Sequence, residues 1–228
     1  MNSQRMSGIK ACVFDAYGTL FDVSSVARCC KEALGDQWEQ FSDLWRTKQL
    51  QYTWLRGLSG HHANFWQVTG EALDFAMATL KVEDQGLRNH LMELYLTLET
   101  FPEVREVLRR LKAGGLKLAI LSNGTPTMLE SAARNAGISD LLDALYSVEE
   151  VGVYKPHPTV YRMPSERLGL VGSEICFLSS NSWDAYSAKA SGLRVIWCNR
   201  FGQAAERLPS PPDRVIKDLG PLPSIVLA

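Results

Sequence analysis

The chain has 228 residues, with 24 Lys and Arg against 25 Asp and Glu. That length suits one α/β core plus a smaller accessory unit and excludes two full-sized enzyme domains, and the balanced charge excludes a strong field toward nucleic acid, an anionic membrane or a polyanionic substrate. No run approaches the roughly 18 apolar residues of a membrane span, and Met1 to Gly8 lacks the apolar core of a signal peptide. The five Cys include no CxxC or Cys/His ligand spacing, which predicts reduced thiols and a cytoplasmic setting.

The run Ala11 to Phe14 reads as a short buried parallel strand that ends on Asp15 and drops into a Gly18-Thr19 turn. A charge at the C-terminal end of such a strand lies where α/β sheets place their ligands. Residues 23–99 show helical patterns, clearest at Phe41, Leu44, Trp45, Tyr52, Leu55 and at Leu87, Leu91, Leu94, Tyr95, Leu98, and no convincing strand. Ser59-Gly60 breaks this helical insert, and Phe101-Pro102 closes it. Thereafter strands and helices alternate. The strands fall at 116–121, 144–148, 175–178 and 194–198, with a helix from Thr125 and Pro126, another after Pro158 and a third ending near Ser191. Pro164 predicts a kink near Tyr161. The final stretch, from Leu208 through Pro212, reads as a turn-rich connection to a short apolar tail. Alternation of this kind predicts an α/β, doubly wound, Rossmann-like parallel sheet, residues 1–22 and 100–228, with a small helical cap, residues 23–99, inserted after the first strand.

Four strand ends or post-strand loops then carry Asp15, Ser122-Asn123, Lys155 and Ser179 to Asp184. Each has an ordinary explanation alone: Ser and Asn suit αβ turns, a loop Lys is usually solvated, and an Asp near a helix start favours the dipole. Their placement at successive ends of one sheet predicts a single site. His61-His62 does not read as a metal site, because adjacent helical residues diverge and no third ligand is spaced to join them.

The segments Phe14-Asp15-Ala16-Tyr17-Gly18-Thr19-Leu20-Phe21-Asp22, Leu44-Trp45-Arg46, Tyr52-Thr53-Trp54-Leu55-Arg56, Leu121-Ser122-Asn123-Gly124, Val153-Tyr154-Lys155-Pro156 and Ser179-Ser180-Asn181-Ser182-Trp183-Asp184 resemble, in order and over nearly the whole length, the L-2-haloacid dehalogenases of the haloacid dehalogenase superfamily. Phosphatases resembling this pattern carry a second Asp two places after the nucleophile, where this chain has Tyr17. Their later acidic metal ligands are replaced here by Ser179 and Asn181, leaving Asp184, which predicts that no Mg²⁺ cofactor is used.

The resemblance implies that Asp15 attacks C2 of an L-2-haloacid to give an ester, whose hydrolysis releases a D-2-hydroxy acid. It implies that Thr19 braces Asp15, that Lys155 lies beside it, and that Asp184 serves the hydrolytic water with Ser179 and Asn181. Tyr161 is expected to support Lys155 or Ser179. Ser122 and nearby N–H groups would take the substrate carboxylate, and Arg46 with Asn123 the halide. Ala16, Tyr17, Leu50, Phe65 and Trp183 would line the pocket, and a homodimer is implied. The competing readings are a Mg²⁺-dependent phosphatase of the same superfamily and a non-catalytic small-acid binding protein.

Overall fold

The computed structural model describes residues 5–227, so the start of the segment read for a signal peptide, residues 1–4, lies outside the described residues. Among the described residues six strands, β1 (Ala11–Phe14), β2 (Lys117–Ser122), β3 (Ala144–Ser147), β4 (Ile175–Ser179), β5 (Arg194–Cys198) and β6 (Arg214–Ile216), form one sheet of order β3-β2-β1-β4-β5-β6. Every pairing is parallel. All four residues of β1 and all five of β4 are buried, as expected of strands covered on both faces. The order reverses between β1 and β4, and there Phe14 pairs with Ile120 on one side and Leu178 on the other. A crevice opens beyond the strand ends at such a reversal. Asp15 sits at that point, its N–H donating to the Leu178 carbonyl at 2.8 Å.

Between β1 and β2 lie α1 (Ser24–Leu34), α2 (Trp38–Ser59), α3 (Phe65–Leu80), α4 (Gln85–Leu94) and α5 (Val104–Ala113). Gly60, with φ +71°, ends α2; Asn64 caps α3 by accepting from Gln67 N–H, and Asp84 caps α4 by accepting from Leu87 N–H. The chain enters and leaves the helical segment side by side: Asp22 N–H donates to Glu99 O at 2.8 Å and Phe101 N–H to Leu20 O at 3.1 Å. The buried line of α2 is Phe41, Trp45, Gln49, Thr53. Leu55, expected on the apolar stripe, is 60 % exposed. Polar residues replace it because Gln49 Nε2 donates to Thr69 Oγ1 at 2.8 Å and Trp45 Nε1 to Thr69 O at 2.9 Å, which satisfies the groups that α2 buries against α3.

The remaining helices are α6 (Pro126–Asn135), α7 (Pro158–Leu168), α8 (Ser182–Ala190) and α9 (Leu222–Val226). Pro164 does not end α7, which runs on to Leu168 with Pro164 itself buried. Helix α4 stops at Leu94, short of the pattern that reaches Leu98, although Tyr95 and Leu98 remain buried. Residues 208–212 hold neither strand nor helix, as expected of a turn-rich connection, and strand β6 and helix α9 occupy the short tail beyond it. Cys12, Cys176 and Cys198 lie buried in strands as predicted, and Cys29 is half-buried; the five are free thiols. Among the described residues no helix is long and apolar enough to cross a membrane.

Candidate active site

The site is built on the ends of β1 and β4. Asp15 is 6 % exposed, and its two oxygens are held differently. Oδ2 accepts from Asn181 Nδ2 at 2.9 Å, Thr19 Oγ1 at 3.2 Å and Ser179 Oγ at 3.3 Å, whereas Oδ1 accepts from Lys155 Nζ at 3.0 Å. The turn that follows β1 is closed by the Ala16 carbonyl, which accepts from Thr19, Leu20 and Phe21. Ala16 is thus buried in the turn and is not a pocket wall. Gly18, with φ +82°, supplies the left-handed step that brings Thr19 back toward Asp15. Thr19 Oγ1 also accepts from Ser180 N–H at 2.8 Å, which locks the turn to β4.

Lys155 is 1 % exposed and bridges two carboxylates, with Asp184 Oδ2 at 2.9 Å on its other side. Burial by itself lowers the pKa of its ammonium, but Asp15 and then Asp184 together carry it above the ordinary lysine value. Asp184, at the start of α8, is fully buried. Burial is the largest influence on its carboxyl and lifts it above the usual range, against the pull of Lys155. Tyr161 donates its hydroxyl to Asp184 Oδ1 at 2.6 Å, so it supports Asp184 rather than Lys155 or Ser179. Burial, followed by the charge of Asp184, holds the Tyr161 phenol well above its usual value, which keeps it a donor.

Asn123 accepts from Lys155 N–H at 3.0 Å, and Ser122 Oγ accepts from Gly124 N–H at 3.1 Å. Just beyond them Thr125 caps α6, with Pro126 in its first turn. From the helical segment comes Arg46. Its Nη1 donates to Gln49 Oε1 at 2.6 Å and its Nη2 to Asn181 Oδ1 at 3.2 Å. Gln49 was not anticipated, though it stands three residues after Arg46 on a helix, where side chains meet.

A pocket of about 20 Å³ lies against Asp15 and Lys155, walled by Arg46, Ser122, Asn123 and Asn181 with the apolar Tyr17, Leu50, Phe65 and Trp183. That is room for about one water. Tyr17 stacks on Phe65 at 6.1 Å, and Trp183 meets Trp54 edge-on at 5.6 Å. A second cavity of about 240 Å³ shares Tyr17, Arg46 and Asn181 with it and opens past Trp45, Tyr95 and Phe201. Thr19, Ser179, Tyr161 and Asp184 stand behind the pocket and reach it through Asp15 and Lys155.

A buried carboxylate at the reversal of a parallel sheet, steadied by a lysine and roofed by inserted helices, defines a hydrolase that works through an aspartyl intermediate. Comparison with known proteins agrees. Residues 9–192 match the model of the haloacid dehalogenase-like hydrolases. An (S)-2-haloacid dehalogenase of Pseudomonas sp. (strain YL) is 46 % identical over 215 residues, 94 % of this chain and 93 % of that protein. (S)-2-haloacid dehalogenase 1 of Pseudomonas sp. (strain CBS-3) is 42 % identical over 223 residues, 97 % and 98 % of the two chains. The L-2-haloacid dehalogenase from Xanthobacter autotrophicus, solved with chloropropionic acid covalently bound, superposes with a TM-score of 0.88 at 39 % identity and covers 95 % of this chain and 97 % of its own. The chain belongs to the haloacid dehalogenase superfamily and, within it, to the L-2-haloacid dehalogenase family.

The donor set does not fit the Mg²⁺ that phosphatases of the superfamily use. The Lys155 ammonium stands between the two carboxylates, and the neighbouring side chains Ser179 and Asn181 are neutral. Among the described residues no group of three or more His, Cys, Asp or Glu could hold a metal ion.

Proposed function

We propose that this chain hydrolyses the carbon–halogen bond of L-2-haloalkanoic acids, releasing halide and a D-2-hydroxy acid without a cofactor. The observation that carries the reading is the asymmetric grip on Asp15: among the described residues, three donors reach Oδ2 and the Lys155 ammonium alone reaches Oδ1. Oδ1 is the freer oxygen and the nucleophile. It attacks C2 opposite the halogen, the C–O bond forms as the C–halogen bond breaks, and the halide leaves with the bonding pair. Substrate carboxylate is received by Ser122, whose hydroxyl proton is available while its oxygen accepts from Gly124 N–H, with the N-terminus of α6 nearby. Departing halide is received by Arg46 and by the NH₂ of Asn123, whose carbonyl end is already engaged.

In the second step water adds to the Asp15 carboxyl carbon, and its proton is relayed to the buried Asp184 through Lys155 Nζ, which donates to both carboxylates. Negative charge then develops on Oδ2, where Thr19, Ser179 and Asn181 already donate, an oxyanion hole formed before the reaction begins. As the bond between the carboxyl carbon and Oδ1 breaks, the leaving alkoxide takes back the proton held by Asp184 and departs as the 2-hydroxy acid; the second water proton is released to solvent, and Asp15 is restored as a carboxylate carrying a water-derived oxygen. Lys155 holds Asp15 and Asp184 in register throughout.

Residues 1–22 and 100–228 act in this reading as the catalytic core and 23–99 as a cap, supported by the paired crossings at Asp22 and Phe101. A homodimer is supported by the exposed Leu55, Leu58 and Phe75 on α2 and α3, and static light scattering tests it. A cytoplasmic setting is supported by the free thiols.

The decisive experiment is halide release from L- and D-2-chloropropionate with EDTA present, beside Asp15→Asn and a Mg²⁺-supplemented phosphatase assay. Release confined to the L-enantiomer, indifferent to EDTA and lost in Asp15→Asn, is expected. Phosphate release that depends on Mg²⁺, with no halide from either enantiomer, overturns the proposal.

A further inference from the structure

Arg200 lies two residues beyond β5, lines neither cavity and has its side chain only 7 % exposed. Burying a guanidinium is costly unless its partners compensate, and here the partners are informative. Nη2 donates to the Thr19 carbonyl at 2.9 Å and pairs with Glu103 Oε1 at 2.7 Å. The guanidinium carbon sits 3.8 Å above the Phe101 ring. Nε is buried and has no hydrogen-bond partner among the described residues.

Thr19 is therefore fixed at both ends. Its carbonyl is held by Arg200, and its hydroxyl donates to Asp15 Oδ2 and accepts from Ser180 N–H. Phe101, against which Arg200 stacks, is the residue where the chain returns from the helical segment, its N–H on Leu20 O. One side chain thus touches the nucleophile turn and the return crossing.

We infer that Arg200 is a positioning residue for the nucleophile, acting through Thr19 to hold Asp15 with Oδ1 turned to the substrate. The inference rests on the dehalogenase reading. Loss of the Arg200 contact frees the Thr19 peptide to turn, which weakens the Thr19 hydroxyl bond and widens the range of Asp15 orientations. Misplacement on that scale slows attack without weakening substrate binding, because the carboxylate and halide contacts lie elsewhere.

The test compares Arg200→Met, Arg200→Lys and Glu103→Gln with the unaltered enzyme on L-2-chloropropionate, by single-turnover halide release, steady-state kcat and KM, and thermal midpoint. Arg200→Met is expected to slow ester formation about 30-fold with KM within about threefold, the size of a lost charge-assisted hydrogen bond. Arg200→Lys is expected to recover about tenfold of that, since an ammonium also donates to a carbonyl. Glu103→Gln keeps the Thr19 contact and is expected to hold kcat within about threefold. Equal losses in Arg200→Met and Glu103→Gln, tracking their thermal midpoints, would reduce Arg200 to an ion-pair strut and overturn the inference, as would a folded Arg200→Met with full kcat. Should Arg200→Met not fold, Arg200→Lys decides: an unchanged ester-formation rate overturns the inference and a reduced one supports it. No halide release by the unaltered enzyme overturns instead the dehalogenase reading on which the inference stands.

Discussion

Asp15 and Asp184 are both carboxylates on one lysine, yet their surroundings divide the work. Asp15 faces the pocket, while Asp184 is sealed behind it with Tyr161 on Oδ1 and Lys155 on Oδ2. Asp15→Asn removes the nucleophile while preserving shape, and single-turnover halide release is expected to fall by more than about 10³-fold. Tyr161→Phe should act on the other half of the reaction. The ring still packs edge-on against Phe177, at 5.9 Å, but Asp184 loses a donor worth about 1.5–3 kcal/mol when the acceptor is charged. Ester hydrolysis is then expected to slow by about 10- to 100-fold with the first halide burst unchanged, so that intact-mass measurement finds the alkylated chain accumulating. At this scale much was legible, because a polar residue ending an apolar strand has few reasons to be there. The partner of Tyr161 was not legible: positions on two different helices, α7 and the start of α8, separated by more than twenty residues carry no mutual signal.

At the scale of elements, the helical segment supplies Arg46 and Phe65 and must be seated for the pocket to exist. Seating near Phe65 is done by Glu149, which accepts from Phe65 N–H at 3.2 Å and pairs with His62 Nε2 at 2.9 Å. Tyr154, next to Lys155, packs against the His62 ring at 4.9 Å with the planes tilted by 35°, and donates its hydroxyl to the Ala63 carbonyl. A partly exposed pair of this kind contributes at most about 1 kcal/mol, and Tyr154 remains when it is lost. Glu149→Ala is therefore expected to raise KM by no more than about fivefold and to speed amide exchange at Phe65, with kcat little changed. The sequence displayed the helices of this segment and the burial of Phe41 and Trp45 on α2, but not that Gln49 and Thr53 continue that face while Leu55 leaves it. Periodicity counts apolar residues, and Gln49 and Thr53 enter the core by hydrogen bonding, a route invisible to hydropathy. Strand β6 was missed for the opposite reason. At three residues, with Val215 57 % exposed, it is an edge strand whose pattern is too short to register.

For the molecule as a whole, the doubly wound order was readable from strand–helix alternation, and it fixes where the reversal falls and hence where the charges gather. That gathering leaves a signature in global stability. Lys155 keeps its proton more tightly in the folded chain than in the unfolded one, because Asp15 and Asp184 outweigh the penalty of burial. The sign follows from linkage: the contribution is fully present below the unfolded lysine value of about 10.4 and is lost as pH rises through the higher folded value. Urea unfolding midpoints should accordingly show no Lys155-linked decline from pH 7 to pH 9 and a decline above about pH 10.4. Lys155→Met removes both the proton and the partner of two buried carboxylates, and is expected to lower stability by about 3–5 kcal/mol at neutral pH. Its alkaline decline should be shallower than that of the unaltered chain, since no Lys155 proton remains to be lost. On acidification the variant should regain stability, because Asp184, already raised by burial, takes up a proton and relieves the repulsion from Asp15. If the variant and the unaltered chain lose stability with the same slope above about pH 10.4, the alkaline transition belongs to other lysines and the buried triad is not its source.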